Sequence, residues 1–197
     1  MLSLLQVAMT FDHVKTIIAI ILGLSITHLL KGMVNFMEHP KSIKPYWIHL
    51  TWCAYVLLLI IHFWWWEAEL RIVKHWNFAE YFFLFFYISF YYILCALLIP
   101  GNLGEYKSYK EYFFSRKKWI FGVLGFSFML DFIDTFIKGQ DYYHQHYNWE
   151  YPIRNITHLV LCIIAIYSNN KTFHAILILL LFVYELSYIY RLFFNIY

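Results

Sequence analysis

The sequence predicts an all-α integral membrane protein, a single transmembrane domain over residues 1–197 built as a bundle of six membrane-spanning helices with short loops. Hydrophobic residues make up 62% of the chain and charged residues only 14%, whereas soluble domains are about 25% charged. The apolar residues are also grouped in runs long enough to cross a bilayer. Because charges are so few, most of the surface must face lipid, which excludes a soluble globular, disordered or nucleic-acid-binding protein.

Six segments of about 20 residues have few or no charged side chains, and each is long enough for a transmembrane helix. They lie near 13–36, 47–67, 79–101, 119–138, 151–169 and 172–193. The second and third are the clearest, since 45–66 and 81–104 contain no Asp, Glu, Lys or Arg. The other four have charged residues inside them or at their edges. A β-barrel is excluded because 17–24 is almost continuously apolar instead of alternating.

The distribution of basic residues predicts the orientation of the spans. The connections after the first, third and fifth spans contain nine Lys and Arg residues, against six on the other side. The positive-inside rule then places the first side in the cytoplasm and both termini outside. The first eleven residues lack a basic start and a small-residue cleavage site, so no cleavable signal peptide is expected. We expect a multi-pass protein of a bacterial inner membrane rather than of an organelle, associating with further copies of itself through broad apolar sides.

Ionisable residues from four of the predicted spans fall at one depth in the membrane. At about 1.5 Å of rise per residue, they all lie in the outer half of the hydrocarbon core. The members of this layer are Asp131, Asp134, Arg154, Glu185, His62 and His158. An ionisable side chain at such a depth costs about 2.5 to 3.5 kcal/mol unless it has a partner or a function. The layer predicts a proton or cation channel or transporter, in which the carboxylates carry the ion, the arginine adjusts their proton affinity and the histidines relay protons.

The same residues are compatible with a purely structural role. Asp134 stands four residues before Lys138, so the two side chains share one face of a helix. Asp131 could pair with Arg154, and Glu185 with a tyrosine, which would hold the helices together as a polar clamp. The sequence is therefore compatible both with a channel or transporter and with a structural clamp.

The histidines leave a cofactor-binding membrane enzyme open as well. His62 and His158 with Asp134 would supply three zinc ligands, next to a second carboxylate as general base. Histidines from four helices could instead hold two haems, His62 with His158 and His28 with His174. No HExxH motif or other closely spaced ligand set is present. We therefore expect a protein without enzymatic activity and without a cofactor, with haem or zinc as the alternatives.

Three successive tryptophans, at 64–66, end the second predicted span and are followed by Glu67 and Glu69. Because successive helical residues point about 100° apart, the three rings cover most of the helix circumference and suit an anchor at the membrane interface. Alternatively, Trp65 forms the wall of an outer vestibule, in which Glu67 and Glu69 concentrate cations above the buried layer.

Basic and aromatic residues are interleaved in the predicted cytoplasmic loop 106–118. The bases expected to contact anionic lipid headgroups, at about 1 kcal/mol each, are Lys110, Arg116, Lys117 and Lys118. The same loop could dock a cytosolic protein, which would make the chain a non-catalytic membrane scaffold or effector subunit.

Overall fold

The computed structural model describes residues 2–38, 45–73, 76–104 and 106–194, and side chains within these ranges from 11 to 193. Lys41, Lys44 and Lys74, which contribute to the predicted orientation, lie outside the described residues. The described residues are almost entirely helical and contain no strand. The all-α prediction is therefore confirmed.

Seven α-helices and one 3-10 turn are formed by the described residues. They are α1 (Leu2–Glu38), α2 (Trp47–Glu67) continued by the 3-10 turn Ala68–Ile72, α3 (Phe78–Leu98), α4 (Tyr109–Lys138), α5 (Gln140–His146), α6 (Glu150–Tyr167) and α7 (Lys171–Phe194). Five of them, α1, α2, α3, α4 and α7, are long and apolar enough to cross a membrane, which supports a multi-pass integral membrane protein. The fifth predicted span, 151–169, coincides with α6, which is 18 residues long and falls outside this set.

Local sequence explains where α3 and α4 begin and end. Asn77 caps α3 by accepting a bond from the backbone N–H of Glu80 at 3.0 Å, and the Glu80 carboxylate accepts the N–H of Asn77 in return. Ser108 caps α4 by accepting the backbone N–H of Glu111 at 3.2 Å. Gly139 ends α4 with a φ of 98°, a conformation that favours glycine, and the chain turns there into α5.

The bundle is arranged around α2, which contacts α1, α3, α4 and α7. α4 lies between α3 and α6. The core between these helices is largely aromatic, with Trp52 of α2 packed edge-on against Phe121 of α4. α1 approaches α3 closely at Gly32, where a Cβ atom would overlap the side chain of Ile99. Both ends of the bundle are therefore built from residues far apart in the sequence.

α6 has its polar face inside and its apolar face outside. Its buried residues include Tyr151, Asn155 and His158, which face α4 and α7. Five of its seven exposed residues are aliphatic, namely Ile153, Ile156, Val160, Ile163 and Ile164, and the other two are Thr157 and Tyr167. This is the reverse of an amphipathic helix on the surface of a water-soluble protein.

Candidate functional site

Two networks of ionisable side chains lie at one end of the bundle, where α2, α4 and α7 end and α5 and α6 begin. We call this the α5 end. The first network joins α2 to α4: Lys138 Nζ contacts Asp134 Oδ2 at 2.6 Å and Glu67 Oε1 at 2.9 Å. All three side chains are no more than 3% exposed. Glu67 Oε2 and Asp134 Oδ1 have no hydrogen-bond partner among the described residues. Two carboxyl groups therefore share a single ammonium group in a buried site.

The second network is centred on Glu185 of α7, whose side chain is fully buried. Its Oε1 accepts a bond from His62 Nδ1 at 2.5 Å, and its Oε2 accepts one from Arg154 Nη2 at 2.8 Å. The other ring nitrogen of His62 accepts the indole N–H of Trp66 at 2.8 Å. Because Trp66 can only donate, His62 Nε2 carries no proton, and the ring is neutral with its proton on Nδ1.

Asn155 connects Arg154 to the remaining carboxylate of the layer. Arg154 Nη1 donates to Asn155 Oδ1 at 3.3 Å, and Asn155 Nδ2 donates to Asp131 Oδ2 at 2.7 Å. The hydroxyl of Tyr87 donates to Asp131 Oδ1 at 3.3 Å. The guanidinium group of Arg154 also lies over the Tyr188 ring, 4.6 Å from its centroid. With His62 neutral, the two networks contain four carboxyl groups against two cations.

A small cavity lies between the two networks. It has a volume of about 50 Å³, on the order of one or two water molecules or a small cation. Its polar lining includes His62, Glu67, Asp131, Asp134 and Arg154. Most of the remaining lining is aromatic, so a proton or cation in the cavity would interact with the carboxylates beside largely apolar groups, which strengthens that interaction.

Aromatic residues of α5 and the following turn cover this cavity at the α5 end. The Trp66 ring lies 5.5 Å from the ring of Tyr147 and 6.4 Å from that of Tyr142. Lys138 Nζ lies 5.8 Å from the centroid of the Tyr142 ring. Burial raises the pKa of Tyr142 to about 12, against a smaller opposing effect of Lys138. The phenol of Tyr142 therefore stays neutral at physiological pH and adds no charge beside the cavity.

The predicted layer residues do not all have the same environment. Asp131, Asp134, Glu185, Arg154 and His62 lie in the two networks. His158 lies apart from the carboxylates: its Nδ1 donates to the backbone oxygen of Arg154 at 2.7 Å, and its ring packs on Phe128.

The three predicted vestibule residues also differ from one another. Glu67 is inside the first network, with its side chain 2% exposed. Glu69 contacts Arg71 at 3.6 Å near the surface. Trp65 is 68% exposed, as expected for a residue at a membrane interface.

One contact of the predicted polar clamp is present and two are not. Asp134 pairs with Lys138, as the four-residue spacing suggests. Asp131 contacts Asn155 and Tyr87 instead of Arg154, because Arg154 is taken up by Glu185. Not predicted from the sequence are the contacts of Lys138 with Glu67, of Trp66 with His62, and of Asn155 and Tyr87 with Asp131. Among these, the bond from Trp66 to His62 has a sequence signal, the four-residue spacing within α2.

The arrangement of the histidines does not suit the zinc and haem alternatives. Among the described residues, no three His, Cys, Asp or Glu side chains are grouped to hold a metal ion. Both ring nitrogens of His62 are already bonded, to Glu185 and Trp66. His28 and His174 donate to backbone oxygens, of Ile99 at 2.8 Å and of Ser168 at 2.9 Å. His62, which both alternatives require, therefore has no free ring nitrogen for a metal.

At the opposite end of the bundle, the basic residues of loop 106–118 divide into two kinds. Lys117 is buried and donates to the backbone oxygen of Ser168 at 2.5 Å, so it does not face the headgroup region. Lys118 is exposed, and Arg116 lies over the ring of Tyr106 at 5.8 Å. Lys110 lies beside Lys171 of α7. Lys117 points inward because it belongs to α4, which begins at Tyr109 and not at residue 119, where the predicted span begins.

Comparisons with known protein families, with curated proteins and with solved structures gave no match.

Proposed function

We propose that this protein is a six-span membrane protein that reversibly binds a proton at the α5 end, between Glu67 and Asp134, and uses that proton to control the contact of α2 with α4. The observation that carries the proposal is the sharing of Lys138 by these two buried carboxyl groups. Each of them keeps one oxygen without a hydrogen-bond partner among the described residues.

The charge balance favours one bound proton. With both carboxyl groups ionised, the first network has a net charge of −1, and an uncompensated buried charge is strongly destabilising. A single proton removes that charge and supplies a donor for an oxygen that lacks one. Both carboxyl groups contact the same Lys138 Nζ and therefore lie side by side, so they can share one proton.

The position of the pair on the helices gives the proton a structural consequence. Glu67 is the last residue of α2, and Asp134 lies in the last turns of α4. Loss of the proton would turn a hydrogen bond between the two helices into a repulsion between like charges. The second network would stay unchanged, because Glu185 is already balanced by Arg154.

The core beneath the cavity supports proton binding and sensing over conduction. The buried side chains of α2 and α4 on that side include Trp52, Val56, Phe121 and Leu124, which offer a proton an apolar and aromatic environment. Exchange would therefore take place at the α5 end, past Trp66 and the tyrosines that cover the cavity.

The six-span count and the orientation belong to the same proposal. α6 begins where Glu150 pairs with Arg191 at the end of α7 and ends beside Lys117 at the start of α4, so it crosses the same thickness as those helices. Its apolar exposed face suits lipid, and its length of about 27 Å is close to that of a hydrocarbon core. Six spans put both termini at the α5 end, which the positive-inside rule assigns to the outside. The exposed apolar sides of α1 and α7 would face lipid or further copies of the chain.

Infrared difference spectroscopy of the protein in lipid vesicles tests the proposal. Exposed carboxyl groups are ionised at about pH 7, so a carbonyl band of a protonated carboxylic acid at that pH reports a buried one. We expect this band in the wild type, and we expect Asp134→Asn and Glu67→Gln each to remove it. The matched control is Asp12→Asn, because Asp12 is an exposed carboxylate near the start of the chain.

A wild-type spectrum without the band would overturn the proposal. Proton flux in the same vesicles separates sensing from conduction. We expect the wild type to give the same proton flux as protein-free vesicles. A larger flux that Asp134→Asn and Glu185→Gln abolish would mean that the protein conducts protons and does not only bind them.

A further inference from the structure

A groove of about 630 Å³ opens at the end of the bundle opposite the proton site, between the end of α3, the segment that follows it and the first turns of α4. This volume lies in the range of small-molecule binding sites. Its walls include Leu97, Pro100, Asn102, Tyr106, Arg116 and Trp119. None of these residues takes part in the two networks of the α5 end.

The polar groups that face the groove are hydrogen-bond donors. The Arg116 guanidinium group contacts the ring of Tyr106, and no carboxylate or carbonyl oxygen of the described residues bonds to it. The side-chain oxygen of Asn102 is used by the backbone N–H of Gly104 at 2.7 Å, which leaves its amide N–H groups to donate. Trp119 is 64% exposed and has an indole N–H. A site with a free guanidinium group and further donors suits an anion with several oxygens, above all a phosphate.

The groove lies at the boundary between the charged and the apolar parts of α4. Residues 107–118 include five Lys and Arg, whereas 119–130 contain no charged residue. Arg116 and Trp119 stand on either side of this boundary, at the depth where tryptophan and arginine contact lipid headgroups. The apolar part of the wall includes Leu97, Pro100 and the Trp119 ring, and it suits the first part of an acyl chain.

We propose that this groove is a binding site for the headgroup of a phospholipid, in which Arg116 binds the phosphate and Trp119 lies along the start of an acyl chain. The site differs from general attraction of anionic lipid to the basic loop, because one guanidinium group in a shaped groove carries the recognition. It is also independent of the proton site, which lies at the other end of the bundle and shares no residue with it.

Native mass spectrometry of the purified protein, titrated with phosphatidylglycerol, tests this site. We expect Arg116→Ala to weaken binding of the lipid about tenfold or more, since a charge-assisted, bidentate contact is lost. Lys118→Ala is the matched control, because Lys118 has the same charge, lies two residues after Arg116 and has an exposed side chain outside the groove. We expect this variant to bind the lipid as the wild type does. Arg116→Lys keeps the charge without the planar fork and should lie between the two. Arg116 has few contacts with the rest of the protein, so we expect these variants to fold.

Three outcomes would overturn the proposal. Equal weakening by Lys118→Ala and Arg116→Ala would mean that the lipid is held by the charge of the loop and not by the groove. Displacement of the lipid by inorganic phosphate at comparable concentration, or equal binding of diacylglycerol, which has no phosphate, would show that a phospholipid is not the ligand.

Discussion

At the α5 end, Glu67, Asp134 and Glu185 bond to side chains of other helices, whereas at the opposite end the buried polar side chains bond to backbone oxygens. The last carbonyls of a helix have no partner within the helix. Those of α3 and of the residue that follows it are served by three different helices: Leu97 by Tyr112, Leu98 by His49 and Ile99 by His28. The end of α3 is therefore satisfied by neutral side chains.

The difference shows which buried polar residues can respond to their surroundings. His49 donates to the Leu98 oxygen and its other ring nitrogen is buried without a partner among the described residues, so a proton added there would bury a charge that nothing balances. In the first network of the α5 end, two acids share one base, so the charge depends on a proton that can come and go. Burial alone would have grouped His49 with Asp134, but their partners separate them.

Removing the shared base gives the largest expected effect. Lys138→Met leaves Glu67 and Asp134 without a cation in a buried site, which should lower the free energy of unfolding by about 3 to 5 kcal/mol. Near neutral pH one of the two carboxyl groups is then an uncompensated charge, whereas at lower pH both are protonated and the site becomes neutral. The deficit relative to the wild type should therefore shrink as pH falls, as measured by denaturant unfolding in detergent over a pH series. A deficit that is the same at every pH would contradict this.

A smaller loss is expected at the second network, because Glu185 would retain one donor. Arg154→Met should lower the free energy of unfolding by about 3 kcal/mol, since the Glu185 carboxylate keeps only the neutral His62. The control is Arg191→Met, which breaks the exposed pair with Glu150, for which we expect a change within about 1 kcal/mol. The same unfolding measurement applies, and equal losses in the two variants would mean that burial does not distinguish these ion pairs.

The opposite end should show the smallest effect and no dependence on pH. His49→Phe keeps a ring in the aromatic core but leaves the buried Leu98 oxygen without a donor, which should cost about 1 to 3 kcal/mol. Because a neutral bond to a backbone oxygen is lost, the deficit should be constant from about pH 5 to pH 8. A deficit that varies with pH would show that His49 titrates and that the two ends are less different than their contacts indicate.

Much of the α5 end could be anticipated from depth alone. Counting 1.5 Å per residue from the ends of the spans brought Asp131, Asp134, Arg154 and Glu185 to one level, and the two networks lie there. The count gives height along a helix but not rotation about its axis relative to its neighbours. For that reason Glu67 was expected in a vestibule and Lys117 among the headgroups, while both are turned inward.

Composition and the length of the apolar runs were sufficient to define a helical, multi-pass membrane protein. The reason is that the preference of each segment for the membrane depends on the residues of that segment alone. The partner of each buried charge was a matter of tertiary structure. Arg154 belongs to Glu185 and Lys138 to both Glu67 and Asp134, since packing selects among several partners at the same depth. A sequence of this kind specifies which groups have to be satisfied in the membrane, and only the packed helices specify which groups satisfy them.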